Sequence, residues 1–411
     1  MRATSLLSKL FNVNHVQFKD FELQYDRLII DVASTWRVPR CSGCGKKRRE
    51  IYDQYKGRTW RHLDLAGTLT EFRCNTRRVK CPRCGVRIEK VPWAATGSNF
   101  TYQFEEQVAY LAQRLSITAV SNLMRMSWRT VGDVVQRVVT RLKQGDPLDG
   151  LTHIGVDELC YRKNHRYITI VTDHMSGRVV WIGEGKDADA LKAFFKDLGG
   201  KRAAEIKVVT LDMSAAYIKA VQESVPQAEL IFDRFHVQRL IHDALDEVRR
   251  EQVREAVDAE EKRTVKGTRW SLQKNPWNLN RSEKAKLSTL QQANKRLYRA
   301  YMLKEGLLSI LDGAWLLPEL KLEEWLTWAS RSRLAAFVKL ARTIRKYKDG
   351  ILAYVQSGLS NARNEGINSK IRTITRRAYG FHSATSLISY IFLCCSGITL
   401  QPVFNYPGER K

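Results

Sequence analysis

The sequence predicts a multidomain α+β protein, and three observations carry that prediction. Two CxxC knuckles lie near the N-terminus, strands alternate with helices over residues 152–235, and helical periodicity is nearly continuous over 236–356. At 411 residues the chain is too long for one comfortable core. With 44% apolar residues it can nevertheless bury several.

Taken in order, residues 15–33 alternate apolar and polar about Tyr25-Asp26-Arg27, the pattern of a β-hairpin. Cys41/Cys44 and Cys81/Cys84 then each place two thiolates within reach of one tetrahedral ion, and Gly45 and Gly85 permit the tight turns that follow. Because residues 45–80 exceed the usual spacer, strands must bring the second knuckle back. Four thiolates leave no open coordination position, so the expected ion is a structural zinc. Cys74 and His62 are substitute ligands without a CxxC partner, and Cys160, Cys394 and Cys395 are expected in the core.

From about Thr101 the pattern turns helical, with Phe104, Val108, Leu111, Ala112 and Leu115 on one stripe, and it ends at Gly145-Asp146-Pro147. Within it, residues 117–142 read as a helix-turn-helix. A short helix carries Val120, Leu123 and Met124, and Ser127 caps a second helix built on Val131, Val134, Val135, Val138 and Leu142. Arg129, Thr130, Asp133 and Arg137 are left facing outward, where a recognition helix meets base edges.

The formal charge is +26 and the sequence pI about 9.8. Three stretches carry the excess: 37–90 at +11, 262–299 at +10 and 331–377 at +10. Basic blocks so far apart suit a long polyanion touched at several places, because each neutralised phosphate releases counterions. The first block includes Arg48, Arg49, Arg77 and Arg78, which are candidates for the DNA backbone. Neither a signal peptide nor a bilayer-length apolar run is evident, so a cytoplasmic, nucleoid-associated protein without a membrane partner is expected.

Acids end two strands of the α/β segment. Asp157 follows Ile154 and Val156, and Asp212 closes the run KVVTLD. An acid at a strand end sits beside a crevice. Strand alternation turns Glu158 away from the face of Asp157. A third acid, Glu365, lies on a helix face with Asn361, Asn368 and Arg372, with Lys370 close by as a further cation. Acids converging from different elements are what two-metal phosphodiester chemistry requires, and magnesium or manganese suits them. Asp233 and His236 are secondary candidates, together with Asn368. The tryptophans of the helical tract, Trp270, Trp277, Trp315, Trp325 and Trp328, are expected mainly in the core, although an exposed one could stack on an unpaired base.

In the order of its motifs the chain resembles the DDE transposases of bacterial insertion sequences, in the group with an N-terminal cysteine-pair zinc ribbon. The strings are CSGC and CPRCG, WRHLDL, the helix-turn-helix, GVDE, LDMSAAYIKAV, FDRFHV and NARNEGINSKIRTITRRAYGFHS. The resemblance implies a ribonuclease H-like core with Asp157, Asp212 and Glu365 as metal-binding acids. It implies a hairpin and ribbon over 1–95, the helix-turn-helix over 100–146, and a core split into 150–239 and 356–411 by an all-helical insertion at 240–355. The function implied is binding of the element's terminal inverted repeats, DNA cleavage and strand transfer into target DNA, by a homodimer or higher oligomer. A zinc-containing regulator with an inactive core would share the DNA-binding half, and a structure-specific nuclease would share the chemistry.

Overall fold

The computed structural model describes residues 3–11, 13–143, 145–162, 166–359, 362–381 and 383–402. It forms two compact units, the first of residues 1–143 with 377–379 and 385–411, the second of 144–376 with 380–384.

The first unit opens with helix α1 (Ala3–Phe11), which the sequence reading did not anticipate. Strands β1 (Val16–Leu23) and β2 (Arg27–Ser34) pair antiparallel as the expected hairpin. Long strands β3 (Ile51–Leu65) and β4 (Thr68–Cys81) form a second hairpin, whose turn is made at Ala66 and Gly67 with φ of 49° and 83°. Strand β5 (Gly85–Ile88) pairs with β4, and β4 runs parallel to β2, so the sheet order is β1-β2-β4-β3 with β5 beside β4. Its core packs Phe11, Phe18, Ile30, Trp60, Phe72 and Trp93 together, with Trp60 and Trp93 edge to face.

Helices α2 (Tyr102–Ala112), α3 (Ile117–Leu123) and α4 (Trp128–Leu142) follow, each with its N-terminal N–H groups accepted by a hydroxyl: Thr101, Ser116 and Ser127. Val131, Val134, Val135 and Val138 are fully buried, as their spacing predicts, whereas Leu123 is exposed.

In the second unit, β6 (His153–Arg162), β7 (Arg166–Asp173) and β8 (Arg178–Glu184) form an antiparallel meander. After α5 (Ala188–Leu198) and the short α6 (Gly200–Ala203), β9 (Val208–Leu211) joins parallel to β6. After α7 (Ala215–Ser224), β10 (Glu229–Phe232) joins parallel to β9. The sheet order is thus β10-β9-β6-β7-β8. β7 and β9, inside the sheet, are buried along nearly all of their length, on both faces. This is the mixed α/β core that the sequence predicts.

The helical tract begins directly after β10 with α8 (Arg234–Glu255), then α9 (Ala259–Gly267), α10 (Arg269–Gln273), a 3-10 turn at Pro276–Asn278, α11 (Arg281–Ala293), α12 (Lys295–Leu311), α13 (Pro318–Ser330), α14 (Ala335–Lys346) and α15 (Lys348–Ser357). Trp325 is buried in it, but Trp270, Trp277, Trp315 and Trp328 are exposed, contrary to the expectation of core positions. Cys160 is exposed as well.

The chain ends in α16 (Ala362–Arg377) and α17 (Ala384–Cys395). The sequence reading places all of 356–411 in the core, but the described residues from Thr385 onward group with the first unit. There Gln113 Nε2 donates to the carbonyls of Leu393 (2.7 Å) and Ile398 (3.1 Å). No helix among the described residues is long and apolar enough to cross a membrane.

Candidate catalytic and metal sites

Cys41, Cys44, Cys81 and Cys84 bring their sulfurs within 4.8 Å of one another. The Cys44 and Cys81 sulfurs stand 3.6 Å apart, close to the roughly 3.8 Å edge of a tetrahedron with zinc–sulfur bonds of about 2.3 Å. The β3–β4 hairpin returns the second knuckle to the first, and Gly45 and Gly85 take φ of 70° and 71° at the turns. Burial alone would raise the Cys81 thiol. The Arg48 guanidinium, with Nε 3.2 Å from the Cys81 sulfur, and the backbone N–H groups of Cys84 and Arg83 outweigh it and bring the thiol to about 6. His62 is instead buried against Phe72 with Nδ1 2.8 Å from the Thr101 hydroxyl, and Cys74 lies outside the cluster.

Several arginines proposed to meet DNA are occupied within the protein. Arg48 faces the thiolates, Arg77 makes a forked pair with the buried Glu89, and Arg78 pairs with Asp53. Arg137, expected to point outward, turns in. Its Nε donates to the fully buried Glu105 at 2.7 Å, which also receives Arg141 at 2.7 Å and the Ser98 hydroxyl at 2.8 Å. Glu105 thereby ties α2 to α4, a role the helix pattern does not reveal because its partners come from another helix. Arg49 and Arg129 are exposed, and so are Lys370 and Arg372 on α16. The Thr130 hydroxyl lies 2.7 Å from that of Ser127 at the start of α4. Arg125, at φ 50° in the turn of the helix-turn-helix, pairs with Asp64 and donates to the Gly67 carbonyl at 2.8 Å, tethering that turn to the β3–β4 turn.

In the second unit, strand register aligns the acids. The last β6–β9 pair is Gly155 with Thr210, so Asp157 and Asp212 each stand two residues beyond it. Asp212 follows the end of β9 as expected, but Asp157 does not end β6, which runs on to Arg162 because its second half pairs with β7. The last β9–β10 pair is Leu211 with Phe232, so Asp233 follows at the level of Asp212. Each acid also has local work. Asp157 Oδ1 accepts from the Glu158 N–H at 2.7 Å, Asp212 Oδ1 from the Ser214 N–H at 3.1 Å, and the buried Asp233 caps α8 and holds His236 Nδ1 at 3.0 Å.

Helix α16 docks on β6 and β7 through two asparagines one turn apart. Asn368 Nδ2 donates to Asp157 Oδ2 at 2.5 Å, and Asn364 Oδ1 accepts from the Thr172 hydroxyl at 2.5 Å. Gly155 makes the approach feasible, since a Cβ there would stand 2.3 Å from Asn364 Nδ2. Glu365, between the two asparagines in sequence, is exposed. Asn361, which the sequence places on the same face, lies outside the described residues.

The electrostatics agree with this grouping. Burial raises the Asp157 carboxyl above the ordinary range, the Glu158 N–H and the Asn368 amide oppose it, and the charge of Asp212 adds to the rise. Glu365, though exposed, is raised by partial desolvation of its carboxyl, then by the charges of Asp233 and Asp157. His236 is raised chiefly by its bond to Asp233, with Asp212 and Asp157 contributing. Glu158 lies on the opposite face, paired with Thr169, yet after burial its largest influence is the charge of Asp212. The acids therefore sense one another, but among the described residues only the cysteines form a group with ligand atoms within 4.8 Å.

Comparison with known proteins finds the same three modules in the chain. Residues 154–391 match a transposase family model, residues 89–139 the helix-turn-helix domain of transposase family ISL3, and residues 37–84 the zinc-finger of the IS204/IS1001/IS1096/IS1165 transposases. The chain is 38% identical over 394 residues to the transposase for insertion sequence element IS1557 of Mycobacterium tuberculosis, covering 90% of this chain and 88% of that one. It is 30% identical over 374 residues to the transposase for insertion sequence element IS1001 of Bordetella parapertussis, covering 89% and 90%.

Proposed function

Because the chain belongs to the ISL3 family of insertion-sequence transposases, we propose that it cuts and rejoins DNA at a site built from Asp157, Asp212 and Glu365. The observation that carries this reading is the register of the sheet, which sets Asp157 within β6 level with Asp212 just past the end of β9 and is met by α16 through Asn368. The donor set fits a divalent cation. The three carboxylates come from separate elements, and among the described residues no lysine or arginine forms an ion pair with them. Half-buried carboxylates that repel one another, as Asp157 and Asp212 do, are costly without a cation to compensate them.

Magnesium or manganese held there would lower the pKa of an attacking water or 3′ hydroxyl and stabilise the leaving oxygen. The residues of the chain supply the rest. Asn368 fixes the Asp157 carboxylate in one rotamer, and the Ser214 N–H does the same for Asp212. Asp233 orients His236 and raises its pKa, which favours the cationic form that a phosphate would attract. Arg129 and Thr130 at the start of α4 read base edges of the element's ends. Arg49, Lys370 and Arg372 meet backbone phosphate, and the active assembly on DNA is a dimer or larger.

The test is a magnesium-dependent cleavage assay on DNA carrying the element's ends, run beside a gel-shift assay. Asp157→Asn, Asp212→Asn and Glu365→Gln should each cost about three orders of magnitude or more in cleavage while DNA binding survives. Glu158→Gln, on the opposite face but within reach of the Asp212 charge, should cost far less. Near-normal cleavage by Glu365→Gln would overturn the triad.

A further inference from the structure

The segment joining α9 to α11 carries a pattern that catalysis does not use. Trp270 and Trp277 are 66% and 70% exposed, although burying either ring would stabilise the fold. They sit in the most unbalanced stretch of the chain, where residues 262–299 hold 11 Lys/Arg against a single acid, Glu283. Lys262, Arg263, Lys266, Arg269, Arg281 and Lys284 are all exposed there. The Arg269 guanidinium lies 5.3 Å from the Trp270 ring centroid, so a cation accompanies the ring.

This segment is not loose. Val265, Leu272 and Leu279 are buried beneath it, and an Asn280/Glu283 capping box starts α11. Between the two tryptophans, the carbonyls of Leu272 and Lys274 both accept from Lys304 Nζ, at 3.0 and 3.1 Å. Lys304 is completely buried and paired with Glu305. Burying an ammonium group is costly, and what this one secures is the backbone position of the segment that displays Trp270 and Trp277.

We propose that this segment is a DNA-contact surface whose tryptophans stack on unpaired bases of the bound DNA, while its cations hold the accompanying phosphates. Charge complementarity selects a nucleic acid over a protein partner. Flat rings among cations select exposed bases over intact duplex, whose base faces are already stacked. The inference rests on the reading of the chain as a DNA-cutting transposase and adds a second, structure-sensitive contact to it.

The experiment uses the full-length protein and element-end DNA in two forms, a plain duplex and the same duplex with a short single-stranded flank bearing 2-aminopurine. Wild type should bind the flanked form more tightly and quench the 2-aminopurine. Trp270→Ala/Trp277→Ala should lose the quenching and bind the flanked form roughly tenfold or more weakly, with duplex binding unchanged. Trp270→Phe/Trp277→Phe should recover most of both. Arg263→Ala/Lys266→Ala should weaken both forms and flatten the salt dependence. Equal binding of the two forms by wild type would overturn the proposal, as would quenching that survives the alanine pair. A change in self-association as the sole effect of the alanine pair would overturn it too, assigning the surface to protein contact. If wild type bound neither DNA, the family reading itself would have failed.

Discussion

His62 stacks on Phe72 with ring centroids 4.4 Å apart and hydrogen-bonds Thr101, and its burial depresses its pKa from 6.5 to about 3. The unfolded chain therefore takes up this proton more readily than the folded one. Stability is unaffected above about pH 6.5 and falls as pH drops toward 3, by about 2 kcal/mol at pH 5. Urea unfolding between pH 7 and 5 should show an acid slope that His62→Phe reduces, and a slope unchanged by that substitution would remove the assignment. Two arginines on α4 separate in the same way by their partners. Arg137→Ala leaves the buried Glu105 with one guanidinium fewer and should cost on the order of 1–3 kcal/mol of stability, weakening all DNA binding with it. Arg129→Ala, on an exposed side chain, should leave the melting temperature alone and narrow the preference for element ends over random DNA by about 1–3 kcal/mol. Parallel melts and gel shifts decide this, and equal losses on both DNAs from Arg129→Ala would sink the recognition role. A helical wheel could not distinguish the two arginines, because Glu105 belongs to another helix.

At the scale of elements, the apolar run leading into Asp212 marked the end of β9, but Asp157, expected at a strand end, lies within β6, because the residues after it go on pairing with β7 as far as Arg162. The docking of α16 was only partly legible. Its polar face was readable, and Asn368 lies where that face predicts, but Arg372 is exposed and Asn364 does the docking instead. Gly155 reads in sequence only as a weak strand residue, and its purpose emerges when Asn364 is seen filling the space of its absent Cβ. Gly155→Ala should therefore push α16 off β6 and reduce cleavage at least tenfold, since small misplacements of catalytic groups are costly. The double variant Gly155→Ala/Asn364→Ala opens that space again and should recover part of the activity if displacement is the cause. Single-turnover cleavage of the three proteins measures it. A double variant no better than the single one would mean that Gly155 acts through the strand itself.

At the scale of the whole molecule, the charge blocks and the succession of modules were legible because they depend on composition and local period. The grouping of α17 with the first unit was not. Its residues are apolar enough to pack anywhere, and contacts such as Lys143 with Phe392, or Gln113 with the Leu393 carbonyl, span more than 200 positions. The same view separates the hydrophobic cores by what holds them. The sheet β6–β10 and the helical tract share a large core, and the β1–β4 sheet has Trp60, Phe72 and Trp93. The ribbon has only Val79 beside Cys41 and Cys81. One valine contributes about 1.5–3 kcal/mol of burial, whereas zinc bound by four thiolates supplies on the order of 10 kcal/mol or more. Chelation at neutral pH should thus release amide protection in residues 37–50 and 81–90 and leave β6, β7 and β9 protected, as read by hydrogen exchange. Arg48→Ala, which removes the cation beside the thiolates, should hasten zinc loss to the chelator and so lower DNA affinity through the ribbon. Purified protein without zinc, or a ribbon equally protected before and after chelation, would show that the four cysteines hold this module together without metal.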